Sequence, residues 1–186
     1  MSHKAETAHG EKAHKEEGAE MEVAAVNIPP GEGRRTSWVL GELVTCKIPS
    51  RRTGGAYALF EVATRAGAGA PPHVQHREDE SFYVLEGEYE FLVEGRTLRG
   101  RAGSLFYIPK GTLHGHESVG AGVGRMLVSQ TPGGLYERFF EEVGKPVKDG
   151  EGRHASEDHF DLRRIASIGV RYGIEIPPPI PRHGRA

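Results

Sequence analysis

Four of the ten histidines in this 186-residue chain fall close together: His73, His76, His114 and His116. Imidazoles and carboxylates bind transition metals, and imidazole also moves protons near neutral pH. The first segment reads Gly67-x5-His73-x-Gln75-x4-Glu80-x6-Gly87. On a strand, His73 and Gln75 share one face while Val74 and His76 share the other. The second segment reads Gly103-x5-Pro109-x-Gly111-x2-His114-x3-Ser118. Pro109 and Gly111 make a turn, and His114 opens the strand after it, with His116 at the same parity. Two imidazoles and one carboxylate on adjacent strands can occupy one face of a metal and leave positions open for substrate or O2. That set suits Fe, Ni, Mn, Co, Zn or Cu and does not select among them. His76 takes the place of Gln75 only if a bulge rotates the strand. His116 has three readings: a fourth nitrogen ligand, a base behind the ligands, or a polar residue near the mouth of the pocket.

Strands and turns must position these residues. The spacing predicts one strand over Trp38–Ile48, a turn over Pro49–Gly55 and a strand over Ala56–Thr64. Phe82–Leu85, Tyr89–Glu94, Thr97–Arg99, Leu105–Ile108 and Gly122–Ser129 read as further strands, with glycine turns at Gly87 and Gly95. Tyr89, Phe91 and Val93 alternate with Glu88, Glu90 and Glu94, and only Leu92 breaks the period of two. Such a pattern marks a sheet with one wet and one buried face. Short strands at regular spacing imply a sandwich or barrel. Phe82, Tyr83, Phe91, Phe106 and Tyr107 read mostly as core, and Cys46 as a small apolar residue on an early strand. After Pro132 the period becomes helical. Leu135, Tyr136, Phe139, Phe140 and Val143 form one stripe ending at Gly144. Lys145–Arg153 reads as a charged loop. A second helix is predicted from about Ser156 to a stop at Gly173, followed by the extended, proline-rich Ile174–Pro181.

The two spaced segments resemble the paired motifs of the cupin superfamily, G(x)5HxH(x)3,4E(x)6G and G(x)5PxG(x)2H(x)3N. The chain matches at Gly67, His73, Glu80, Gly87, Gly103, Pro109, Gly111 and His114, and departs at Gln75 and Ser118. The resemblance implies an all-β fold: a cupin jelly-roll β-barrel with a short C-terminal helical extension. It implies one divalent transition metal held by His73, Gln75, Glu80 and His114. The stretches TGGAYALFEV, PPHVQHREDESFYVLEGEYEF and TPGGLYERFFEEVGKPV look like single-domain bacterial cupins similar to quercetin 2,3-dioxygenase. A metal-dependent oxygenase of a small phenolic or enolisable molecule, flavonol-like, is the activity this implies. Glu80 would be its catalytic group, either staying on the metal or taking the substrate proton as a base whose pKa burial raises. The alternatives are a non-catalytic cupin that binds or senses a small ligand, and a metal-dependent isomerase or lyase of a sugar or keto acid. The family also implies a homodimer.

Composition bounds the rest. Glycine (26) and proline (12) are frequent enough for many turns, yet the chain still carries 37% hydrophobic residues for a core. Residues 1–22 read as a frayed charged arm whose His3, His9 and His14 have no packed site around them. Residues 36–131 then form the barrel core, and 132–186 the helices and tail packed on it. No apolar run is long enough to span a bilayer, and no apolar leader is present, so a cytoplasmic protein without a membrane partner is expected. A net charge of −2 argues against nucleic acid as a partner and leaves a small molecule. One cysteine excludes an internal disulfide framework.

Overall fold

Period-two burial runs through the two strands at the centre of the molecule. Ala58, Phe60, Val62 and Thr64 point inward from one, and Gly124, Met126, Val128 and Gln130 from its antiparallel partner. The computed structural model describes residues 25–147 and 160–178. In chain order the strands are β1 (Arg35–Val39), β2 (Glu42–Ile48), β3 (Ala58–Thr64), β4 (His73–Gln75), β5 (Asp79–Glu86) and β6 (Glu88–Val93). They continue with β7 (Arg96–Arg101), β8 (Leu105–Ile108), β9 (Leu113–Ser118), β10 (Gly124–Thr131), β11 (Lys145–Pro146) and β12 (Ile174–Glu175). Helices α1 (Leu135–Val143) and α2 (Leu162–Gly169) complete the described elements, with short 3-10 turns at Ser50–Thr53 and Val170–Tyr172.

Two antiparallel sheets result, in the orders β11-β1-β2-β3-β10-β5-β8 and β12-β4-β9-β6-β7. A core of Phe60, Val62, Phe82, Tyr89, Phe91, Phe106 and Met126, among others, fills the space between them. The expected jelly roll is present, but hydrogen bonds do not close the two sheets into one barrel. Of the four edges β8 is uncharged, whereas the other three are short or charged: β11 and β12 are two residues each, and β7 carries Arg96, Arg99 and Arg101. Such edges resist pairing with further strands.

Several sequence expectations change. Trp38–Ile48 is a hairpin and not one strand, because Leu40 (φ 50°) and Gly41 (φ 84°) make a two-residue turn between β1 and β2. A leucine in the left-handed region hides that turn from a reading based on glycine and proline. Tyr83 and Tyr107 are exposed, on the outer faces of β5 and β8, while Phe82, Phe91 and Phe106 are buried. Leu92, which broke the alternation, points outward. Lys145 and Pro146 are the first residues of the expected loop, yet they pair with Trp38 and Ser37 as a sheet edge.

The first helix lies where the apolar stripe placed it, and its C-cap is Gly144. The second begins at Leu162, where the Asp161 side chain accepts the N–H groups of Arg163 and Arg164. Gly173, at φ 76°, ends the following turn. The extended tail starts as β12 alongside β4, so the C-terminal segment adds a strand to each sheet. The arm with His3, His9 and His14, residues 148–159 and the tail beyond 178 lie outside the described residues. Among the described residues no helix is long and apolar enough to cross a membrane.

Candidate metal centre

Strand register brings the two motif segments together. β4 pairs with β9 so that His73 lies directly opposite His114, with ring centroids 4.4 Å apart. β4 is short because the chain reaches it through a loop, residues 67–72, laid across β9. That crossing needs Gly115, since a Cβ there would sit 2.9 Å from the Ala70 oxygen. On the far side the Gly111 N–H donates to the Gln75 carbonyl at 2.6 Å, which ties the Pro109–Gly111 turn to the same strand. Glu80 comes from the other sheet. It sits near the start of β5, opposite Gln130 on β10 and Ile108 on β8.

His73, Glu80 and His114 offer ligand atoms that all lie within 4.8 Å of one another. Nε2 of His114 is 2.7 Å from Oε2 of Glu80, and Nε2 of His73 is 3.9 Å from the same oxygen. All three residues are buried, and none of these three atoms has an aligned hydrogen-bond partner. The other side of each group is held. Nδ1 of His73 donates to the Pro71 carbonyl at 2.9 Å, and Nδ1 of His114 to Thr112 at 3.0 Å. With the proton on Nδ1, each ring presents the Nε2 lone pair inward, as metal-binding imidazoles do. Gln130 Nε2 donates to Oε1 of Glu80 at 2.8 Å and leaves Oε2 free. Unpartnered buried polar atoms each cost about 1–3 kcal/mol, so three converging on one point fit a cation between them.

Gln75 is also buried, on the same face of β4 as His73, and its amide nitrogen has no partner. It is the neutral neighbour of His73 on that face, beside the cluster of His73, Glu80 and His114. The remaining histidines do not converge on it. His76 is exposed and meets Glu175 at 3.0 Å. His116 lies apart from the cluster and is only partly buried, its ring among Phe82, Tyr89 and Phe91, with Nε2 2.8 Å from Glu42 Oε1. Thr64 donates to that same carboxylate oxygen.

Electrostatics keep His73 neutral and Glu80 ionised. Burial lowers the His73 pKa to about 4, and the neighbouring His114 adds to this, so the ring is neutral. Burial pushes Glu80 upward, but His114, His73 and the Gln130 donor outweigh it and hold the carboxyl below its usual range. The expectation that burial would raise Glu80 is thereby reversed. Burial lowers His114, and the Glu80 carboxylate beside it more than compensates, raising it above the ordinary value.

Sequence reasoning missed three participants. Gln130 supports Glu80, Glu42 anchors His116, and buried Glu78 accepts both the Leu135 and Tyr136 N–H groups at 3.0 Å. Gln130 alone had a local signal, since it continues the inward parity of Met126 and Val128.

A model of the cupin domain matches residues 60–129, which include every residue of the triad. Quercetin 2,3-dioxygenase of Bacillus subtilis (strain 168) is 26% identical over 123 residues, covering 65% of this chain and 35% of that protein. The chain thus spans little more than a third of that relative's length. A solved structure of oxalate oxidase superposes with a TM-score of 0.50 and 25% identity, covering 70% of this chain and 71% of that one. KdgF from Halomonas sp. gives a TM-score of 0.48 and 23% identity, covering 53% of this chain and 86% of that one. The paired motifs, the two facing sheets and the domain match agree that residues 60–129 form a cupin domain.

Proposed function

We propose that this protein is a metal-dependent oxygenase of a small phenolic or enolisable molecule, of the flavonol 2,3-dioxygenase kind. The observation that carries the reading is the convergence of three unpartnered buried donor atoms from His73, Glu80 and His114. These three, with Gln75 as a fourth and neutral donor, would hold one divalent transition metal. The similarity to a quercetin dioxygenase supports the substrate class. A metal bound there would supply Lewis acidity to a substrate oxygen. The chain's own residues do the remainder. Glu80, its Oε1 fixed by Gln130, would either keep Oε2 on the metal or, off the metal, accept the substrate hydroxyl proton there. Phe82, 6.2 Å from His114 between ring centroids, and Ile108, opposite Glu80, keep water from the buried side.

The test is metal content by mass spectrometry of the wild type and of His114→Ala, followed by oxygen uptake with a flavonol. About one metal per chain, lost in the variant, together with flavonol-dependent uptake, supports the reading. Metal without uptake on any phenolic substrate would remove the oxygenase activity. Glu80→Gln turning over flavonol at the wild-type rate would remove the base. The neutral Gln75 amide favours a second reading, a cupin that binds a small ligand without catalysis. Absence of metal after reconstitution would select it. A homodimer is part of the proposal. Tyr83, Leu85, Leu105 and Tyr107 are exposed together on β5 and the edge strand β8, which supports pairing through that face. A monomer by light scattering would oppose it.

A further inference from the structure

The proposed metal centre is shut. His73, Gln75, Glu80 and His114 are each 4% exposed or less. Toward the interior, the Phe91–Phe106 stack at 4.0 Å and the Phe82–Phe91 contact at 5.0 Å block passage. At the other end lies the helical cap. Its first helix leaves β10 only a few residues after Gln130, and β12 sets Ile174 opposite Gln75. Tyr136, Phe139, Ile165, Ile168 and Ile174 form a second core, joined to the main one through the partly buried Leu40, Phe140 and Val143. Such a unit can open without unfolding the barrel.

One buried group fastens α1 to the strand that carries Glu80. Glu78 is 1% exposed, and its two oxygens accept the first two N–H groups of the helix. Those groups have no partner within the helix, and the positive end of its dipole favours a carboxylate there. We propose that Glu78 is a positioning residue that latches α1, and with it Tyr136, across the mouth of the metal centre, so that small molecules reach His73 only when this cap lifts. The inference rests on reading the triad as the working site.

Carbethoxylation by diethyl pyrocarbonate, resolved by mass spectrometry, reads access to the neutral His73 ring in chelator-treated full-length protein. Exposed His76 is the internal standard. Glu78→Gln and Glu78→Ala are compared with Val62→Ala, a change in the main core, with temperature set so that the variants are equally stable. The expected result is His73 labelling about tenfold faster or more in the Glu78 variants, relative to His76, and unchanged in Val62→Ala. Hydrogen exchange of residues 135–140 should rise in parallel. Wild-type labelling of His73 in variants whose α1 exchanges faster would overturn the gate. Unchanged exchange of α1 would overturn the latch. If Glu78→Ala does not fold, Glu78→Gln decides alone. Because the labelling needs no metal, a protein that never takes metal fails the proposed function without touching this test.

Discussion

Replacing His73 with leucine should change stability in opposite directions with and without metal. In chelator the native imidazole makes one hydrogen bond, to Pro71, and buries one unpartnered nitrogen. Losing the bond costs about 1 kcal/mol, while removing the orphaned atom recovers about 1–3 kcal/mol. The net change for His73→Leu is therefore between about zero and 2 kcal/mol of added stability. For a chain of this size that is a rise in Tm of up to about 8 °C. With metal at about a thousand times Kd, the wild type gains about 4 kcal/mol, or about 8–16 °C. The variant, lacking a ligand, should gain little. Thermal unfolding followed by circular dichroism, with EDTA and then with manganese, nickel or iron, reads both halves. A variant destabilised by several degrees in EDTA, yet shifted by metal as much as the wild type, would refute the account of His73 as an idle donor awaiting a cation.

Other outcomes follow from the same geometry. Metal-free protein should weaken as pH falls from about 6.5 to about 4, because the unfolded chain takes up a proton that buried His73 refuses. That window is worth about 3 kcal/mol, and urea midpoints in His73→Leu should show a flatter slope across it. Gln130→Leu removes the donor to Glu80, and a titration should find metal affinity about 10–100-fold weaker with the fold retained. Burial pushes the Cys46 thiol up to about 12, so iodoacetamide at pH 8 should modify it only after unfolding. Rapid modification of the native protein would show that β2 is more open than its packing indicates.

The features readable in the chain are those that local physics dictates. The alternation of Tyr89, Phe91 and Val93 marked an inward face whichever strand lay beside it. The apolar stripe from Leu135 to Val143 needed only helical geometry. The motif glycines Gly67, Gly87, Gly103 and Gly111 all adopt positive φ, a backbone requirement written at single positions. The spacing of His73, Glu80 and His114 was legible for the same reason, since motif intervals encode strand and turn lengths. Tertiary structure alone decided what each of those groups leans on. Gln130 lies 50 residues from Glu80, Leu135 lies 57 from Glu78, and Glu42 lies 74 from His116. Partners that distant are chosen by which strands become neighbours when two sheets stack, and no local pattern reports that choice. The Glu80 pKa turned on the same fact. Burial predicts a raised value, and only the folded arrangement of two imidazoles and an amide donor around the carboxylate reverses the sign.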